Sequence, residues 1–407
     1  MMDFEGAAVP YWPIRRRKLL RRNLAIACAV ALVVFLALYI RHRIEAEPIA
    51  DRVLDQIETT VAVRYYDRAF HGVRWHELVA QYRPLVEGAP TIARRYELLQ
   101  ALVSRLGDSH TAVFSPDEVN GVEAQDAGTI GAVFVTIGRD RVVMRVAPRS
   151  PAASAGLRPG YIVAERAPVA GATDLWGPLA VRDPLTGRSW RTTLRPTVAG
   201  RSFDAVVPPD LDWGTIGADV GYLRMTSFPN NIEEELGWAV SDIGRHRMMI
   251  LDLRGNPGGL IDAVDATAGI FLPDGTLVAS GEGRYSLFRR RFSATSAAGI
   301  TYAGRLAVLV DGTSESGAEA LASALQIYHR GLIIGEPTAR HVLGVEVEEH
   351  LADGGLLRVA TLDIRDAHGN PLEGRGVTPD LIVARTPADI ARGRDPQLRA
   401  ALDYLGN

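Results

Sequence analysis

Ser316 stands in the run Thr313-Ser314-Glu315-Ser316-Gly317-Ala318-Glu319-Ala320, just after the apolar stretch 306–310 and at the onset of a helical pattern. A small nucleophile on the first turn of a helix lies beside unpaired backbone N–H groups and the positive end of the helix dipole. Both favour a developing oxyanion. Upstream, Leu251-Asp252-Leu253-Arg254-Gly255-Asn256-Pro257-Gly258-Gly259 is a second strand running into a glycine turn whose bare amides can face the same point. A lone serine at a helix start reads first as an N-cap. Paired with that glycine turn, it reads as the nucleophile of acyl transfer. A hydroxyl of ordinary pKa then needs a base within hydrogen-bond reach. Lys18 is the sole lysine of the chain, so nothing beyond it can supply a lysine base.

The elements that must position these groups follow from periodicity. Residues 218–385 alternate strand and helix: strands at 220–225, 248–253, 306–310 and 332–334, helices at 232–243, 262–271 and 318–328. Consecutive βα units predict an α/β core, a mixed or parallel sheet covered by helices. A closing helix is expected at 398–405. Residues 48–117 read as helices, with Ile49, Val53, Ile57 and Val61 at helical spacing and the pattern renewed at 96–106. Gly107-Asp108-Ser109-His110-Thr111 breaks that helix, and a strand begins at Ala112-Val113-Phe114. Residues 128–200 change to short alternating strands, such as 142–146 and 161–164, with a short helix in 150–160.

With 407 residues, 47% hydrophobic and 23% charged, the chain holds two or three domains and is not disordered. A net charge of −3 gives no nucleic-acid footprint. Residues 24–40 are uncharged and preceded by Arg15, Arg16, Arg17, Lys18, Arg21 and Arg22, which predicts a single membrane anchor with the C-terminal bulk on the extracytoplasmic side. A cleaved signal peptide is the rival reading, but Arg41-His42-Arg43 stands where its small-residue cleavage site would be. Cys28, the one cysteine, falls in that segment, so the rest has no disulfide and no thiolate site. His71 and His76 read as surface or cap residues, Arg289-Arg290-Arg291 as a solvated loop. No His-Glu-x-x-His pattern or Cys/His cluster appears, and no metal or cofactor is expected.

Ser150-Pro151-Ala152-Ala153-Ser154-Ala155-Gly156-Leu157-Arg158-Pro159-Gly160 followed by a strand resembles the PDZ family. That resemblance makes Ile130-Gly131-Ala132-Val133 the loop receiving a peptide's C-terminal carboxylate. Further motifs run in order: Tyr65-Tyr66-Asp67, Leu106-Gly107-Asp108-Ser109-His110-Thr111, the 252–259 turn, Ser316-Gly317-Ala318-Glu319, Gly335-Glu336-Pro337-Thr338, and Gly374-Arg375-Gly376-Val377-Thr378-Pro379-Asp380. Together, over roughly residues 48–405, they resemble the C-terminal processing (tail-specific) serine peptidases and the catalytic core of tricorn protease. The resemblance implies a crotonase-like ββα-spiral core at 201–405, a helical segment at 48–117 and a PDZ-like insert at 128–200. A basic cytoplasmic tail, 1–23, and the anchor at 24–40 precede them.

Carried over residue by residue, the nucleophile is Ser316. Tail-specific proteases use a lysine base, but its position falls on His341, which stays open as an alternative base, and no lysine follows Lys18. In the tricorn branch the base is a histidine, matched by His110, with a serine just before it, matched by Ser109, and a glutamate matched by Glu373. An imidazole of ordinary pKa accepts a proton at neutral pH, and a carboxylate partner fixes its tautomer. Gly317 with Gly258 or Gly259 would bind the oxyanion, and Arg254 and Asn256 would brace that turn. The expectation is a membrane-anchored serine endopeptidase whose site is assembled across a domain contact and gated by peptide binding to the insert. Its polypeptide substrates would be recognised by their C-terminus. Two rivals stay open: a peptide-capturing PDZ scaffold without catalysis, motivated by the missing lysine, and a crotonase-like enzyme on acyl thioesters, which needs no elbow serine.

Overall fold

The computed structural model describes residues 49–123, 131–164, 177–194, 209–285, 289–296 and 301–406. The expected anchor at 24–40 and Ile130 lie outside these residues. Among the described residues no helix is long and apolar enough to cross a membrane.

The centre is a six-stranded sheet in the order Leu381–Ile382, Leu332–Gly335, Arg305–Val310, Met248–Asp252, Val220–Met225 and Leu211–Ile216. All neighbours are parallel except the last pair. The two middle strands are covered on both faces, which is why they read as unbroken apolar runs rather than alternating ones. Helices Glu233–Ile243, Ile261–Phe271 and Gly317–Ile327 pack on one face around Phe228, Leu251, Val308 and Leu321. Helix Pro396–Gly406 covers the other face with Ala401 and Leu405. Each fully buried Leu or Phe here contributes about 1.5–3 kcal/mol.

A second, antiparallel sheet runs Ala112–Phe114, Leu356–Asp366, Leu277–Gly283, Arg289–Ser293, with Leu343–His350 also on Leu356–Asp366. Helices Ile49–Arg64, Trp75–Glu87 and Ile92–Val103 bury Leu54, Trp75, Leu99 and Leu102 against Leu357 and Val359 of this sheet. The N-terminal helices are therefore joined to the core by main-chain pairing: Ala112 aligns with Arg358, and Tyr66 N–H donates to Ala360 O at 3.1 Å. Arg289-Arg290-Arg291, expected as a solvated loop, is instead part of a strand. Its charges are matched laterally by Glu282 at 3.2 Å and Glu346 at 2.8 Å.

Strands Ala132–Ile137, Asp140–Val146, Ile162–Ala164, Gly177–Arg182 and Ser189–Leu194 make a third sheet, a meander with its own core of Val143, Ala152, Leu157, Val181 and Leu194. Its short helix Pro151–Ser154 is capped by Ser150, whose hydroxyl accepts Ala153 N–H at 3.1 Å. This β-domain touches the rest through Val142 and Ile162 on Ile390. Gly160 lies so close that a Cβ there would fall 2.5 Å from Ala391.

Candidate active site

Strand Arg305–Val310 delivers the chain into the 311–316 turn, and buried polar groups shape that turn. Asp311 Oδ1 accepts from Thr313 N–H and hydroxyl and from Gly255 N–H. The Ser314 hydroxyl, fully buried, donates to Leu253 O at 2.9 Å and accepts Asp311 N–H, so this serine is structural. Ser316 is then forced to φ +54°, ψ −114°, a left-handed conformation costing about 1–3 kcal/mol in a residue with a Cβ. Its N–H is shared by His341 O at 2.9 Å and Glu319 Oε2 at 3.1 Å. Glu319 has no exposed surface and also accepts from the Thr338 hydroxyl, Arg340 N–H and His341 N–H. Burial pushes its carboxyl pKa up, and these four donors oppose that rise. One carboxylate thus ties the elbow to the 338–341 segment. Its Ser-x-x-Glu spacing is the sequence signal for that role.

The glycine turn closes against the elbow. A Cβ on Gly258 (φ +96°) would lie 2.7 Å from Ser316 Cβ and 2.9 Å from Gly317 N. Gly258 N–H is taken by Asn256 Oδ1 at 2.7 Å, so of the two expected amides Gly258 is not available. Gly259 and Gly317 N–H have no protein acceptor among the described residues. Asn256, fully buried, donates to Met225 O and its own carbonyl accepts Glu315 N–H. Below it, burial would raise the Asp252 carboxyl, but the Arg254 guanidinium holds it at about 2. Arg254 in turn binds Asp395 at 2.8 Å. Both residues brace the turn, as expected.

The histidine loop is shaped by Asp108, which sequence reasoning did not single out: its Oδ1 accepts His110 N–H at 2.8 Å and Thr111 N–H at 2.6 Å. The Ser109 hydroxyl lies 2.6 Å from His110 Nδ1 and donates to Glu373 Oε2 at 3.0 Å. Glu373 also accepts Ser109 N–H and Val342 N–H. A hydroxyl has one proton. Spent on Glu373, it leaves the Ser109 oxygen to accept from Nδ1, so His110 carries its proton on Nδ1 and presents Nε2 as a free base. Burial pushes the His110 pKa below its ordinary value. Glu373, Glu315 and Asp108 pull it back up, while His341 adds to the depression.

Glu315 precedes Ser316, and the His341 carbonyl accepts the Ser316 N–H, so both residues flank Ser316. Among the described residues no hydrogen bond yet joins the Ser316 hydroxyl to an imidazole. His341 frames Ser316 with its main chain, while its half-exposed ring pairs with Glu315 at 3.4 Å. His71, read as a surface or cap residue, is exposed, and its ring lies 2.7 Å from both Leu106 O and the Tyr66 hydroxyl. His76 pairs with Glu58 at 2.7 Å. In the β-domain, Gly131 (φ +67°) packs on Ser150, and its carbonyl accepts Ala147 N–H at 2.8 Å. Ala132 and Val133 open the following strand, opposite Val146 and Arg145.

Known proteins carry the same arrangement of chain. Residues 219–383 match the family "Peptidase family S41". A carboxyl-terminal-processing protease of Synechocystis sp. is 27% identical over 368 residues, covering 84% of this chain and 83% of that protein. A putative tricorn protease homolog 2 of Streptomyces coelicolor is 26% identical over 409 residues, 89% of this chain but 33% of the relative. In fold, the photosystem II D1 C-terminal processing protease superposes with a TM-score of 0.62 at 21% identity, over 89% of this chain and 98% of that one. The strand-to-helix serine, the glycine turn and these likenesses converge: residues 219–383 form a peptidase family S41 domain, and the chain is a serine-type peptidase.

Proposed function

We propose that the chain is a serine endopeptidase of the C-terminal processing/tricorn type that works through Ser–His rather than Ser–Lys. Ser316 Oγ attacks the scissile carbonyl carbon while His110 Nε2 takes its proton. The tetrahedral oxyanion rests on Gly317 and Gly259 N–H, where one donor is worth on the order of 10²–10³ in turnover. The imidazolium returns its proton to the leaving amine, and the C–N bond breaks to leave an acyl ester on Ser316. Water, activated by the same imidazole, then frees the acid. Ser109 donates to Glu373 and its oxygen keeps the proton on Nδ1, while the nearby Glu373 charge stabilises the imidazolium.

The observation that carries this reading is the Glu373–Ser109–His110 hydrogen-bonded chain, which leaves Nε2 unprotonated at neutral pH. The absent Ser316–His110 hydrogen bond accords with it, because such contacts often tighten only with substrate in place. The β-domain serves in this proposal as a PDZ-like receiver of polypeptide C-termini through residues 130–133. The core corresponds to a ββα-spiral, and residues 24–40 anchor the enzyme with its catalytic part outside the cytoplasm. Labelling with a fluorophosphonate probe tests the chemistry. It should mark the wild-type and His341→Ala proteins and be lost in Ser316→Ala and His110→Ala. Labelling that survives His110→Ala and disappears in His341→Ala would transfer the base to His341.

A further inference from the structure

Between the β-domain and the six-stranded sheet lies a cavity of about 250 Å³ that the proposed mechanism does not use. One wall is strand Ala132–Ile137. The other is formed at the C-terminal ends of the parallel strands, where ligands of open α/β sheets gather. Four guanidiniums, those of Arg145, Arg224, Arg254 and Arg385, face two carboxylates, Asp311 and Asp395. Both carboxylates are already engaged. Asp395 holds Arg254 at 2.8 Å and Leu398 N–H at 3.0 Å. Asp311 Oδ1 is filled by the elbow turn, and its Oδ2 makes one long 3.4 Å contact with Arg385. Arg254 is satisfied by Asp252, Asp395 and Gln397.

The surplus lies with Arg224 and Arg385. The Nε of each is buried without an acceptor, and Arg385 is only 5% exposed. A buried donor left unpaired is costly, and more so on a charged group. The missing partner is an anion with planar acceptor oxygens, which a guanidinium fork binds best as a carboxylate.

The geometry also says what brings it. Among the described residues, Ala132–Ile137 pairs only with Asp140–Val146, so its outer edge is open to an added strand. Val133, Phe134 and Val135 of that edge line the cavity. A polypeptide laid along the edge would pass alternate side chains towards the arginines. We infer that this seam is a specificity subsite for an acidic side chain of the bound polypeptide, read by Arg224 and Arg385 with Arg145 contributed by the β-domain. The inference rests on the peptidase reading for its occupant. Gly255 and Thr313 line the same cavity and lead directly into the Gly259 and Ser316 turns, so an occupied subsite steadies both.

The test uses full-length Ser316→Ala protein, which binds without turnover, and short fluorescent peptides carrying Glu or Gln near the C-terminus. Glu peptides should bind at least about tenfold more tightly, equivalent to roughly 1.4 kcal/mol, and the preference should weaken with salt. It should vanish in Arg224→Gln and Arg385→Gln. Because Arg385 is buried against Asp311 and its variant can lose the fold, the half-buried Arg145→Gln and Arg224→Gln are measured beside it, with unfolding temperatures as controls. C-terminally amidated Glu peptides separate the source of the carboxylate: the Glu–Gln difference should survive amidation. Equal affinity of Glu and Gln peptides overturns the subsite. So does a preference unchanged in every arginine variant, or affinity that depends on the terminal carboxylate alone. Fluorophosphonate labelling of intact Ser316, run in parallel, keeps the failures apart, because labelling without charge discrimination removes only the subsite.

Discussion

The Ser316 turn and the His110 loop draw their hydrogen bonds from different places. The turn is held by Ser314, Glu319 and Asn256, all fully buried and all bonded within the sheet-and-helix core. The loop is held by Asp108 locally and by Glu373, 264 residues away in sequence. It also encloses polar atoms: Asp108 Oδ2 and the Tyr65 hydroxyl are both buried. Burial first, and then the Asp108 charge, push the Tyr65 and Tyr66 hydroxyl pKa values up. In the proposed mechanism the nucleophile is therefore pre-set by its own fold, whereas the base depends on a charge lent from elsewhere. Damage to the first should remove activity outright. Damage to the second should reshape the pH dependence.

The sharpest break comes from Ser316→Ala, which should lower peptide hydrolysis by on the order of 10⁴–10⁶-fold while the protein stays folded. His110→Ala should match it. His341→Ala should alter rates no more than about threefold, the scale of a surface substitution. Steady-state hydrolysis of one peptide by all three variants decides between the imidazoles. Next is Gly258→Ala, which would push the elbow and the glycine turn apart. About 10²-fold should be lost from kcat, since small misplacements near the chemistry cost that much.

Glu373→Gln should cost about 10²-fold, the low end of acid–base catalysis. Its pH profile carries the sign. Glu373 raises the His110 pKa against burial, so removing its charge moves the acid limb of kcat/KM to lower pH. A limb moving upward would mean that Glu373 does not act on the base. The smallest effect concerns stability. His110 is held neutral with a lowered pKa, so its contribution is present above the unfolded value near 6.5 and fades as pH falls through the folded one. Denaturant titrations of wild type and His110→Gln should converge in the acid range.

Much of this was readable beforehand because it is local. The strands and helices of the core, including the helix Gly317–Ile327 expected at 318–328, follow from apolar period. Ser316 was legible from its strand–turn–helix setting, whereas Ser109, His110 and Glu373 were expected only from resemblance, and spacing alone could not have brought Ser109 to Glu373, 264 residues away. Sequence also left the donor open between Gly258 and Gly259. Only the orientation of Asn256 Oδ1 decides it, and side-chain direction leaves no trace in composition. The long strand pair Leu343–His350 and Leu356–Asp366 escaped notice, because both strands carry charges on their open faces and lack a clean apolar run. Asp108 looked like part of a helix-breaking turn, and its grip on two amides is a matter of rotamer.

The short strand Ala112–Phe114 has a mechanical consequence. Two residues beyond His110 the backbone is stitched edge-on into the same ribbon as Leu356–Asp366, and Thr111 takes the Ala360 amide at 3.2 Å. The imidazole is thus a fixed tenant of the central body, with no slack to swing out on the N-terminal helices. The small meander domain, by contrast, meets that body where Val142 and Ile162 pack on Ile390.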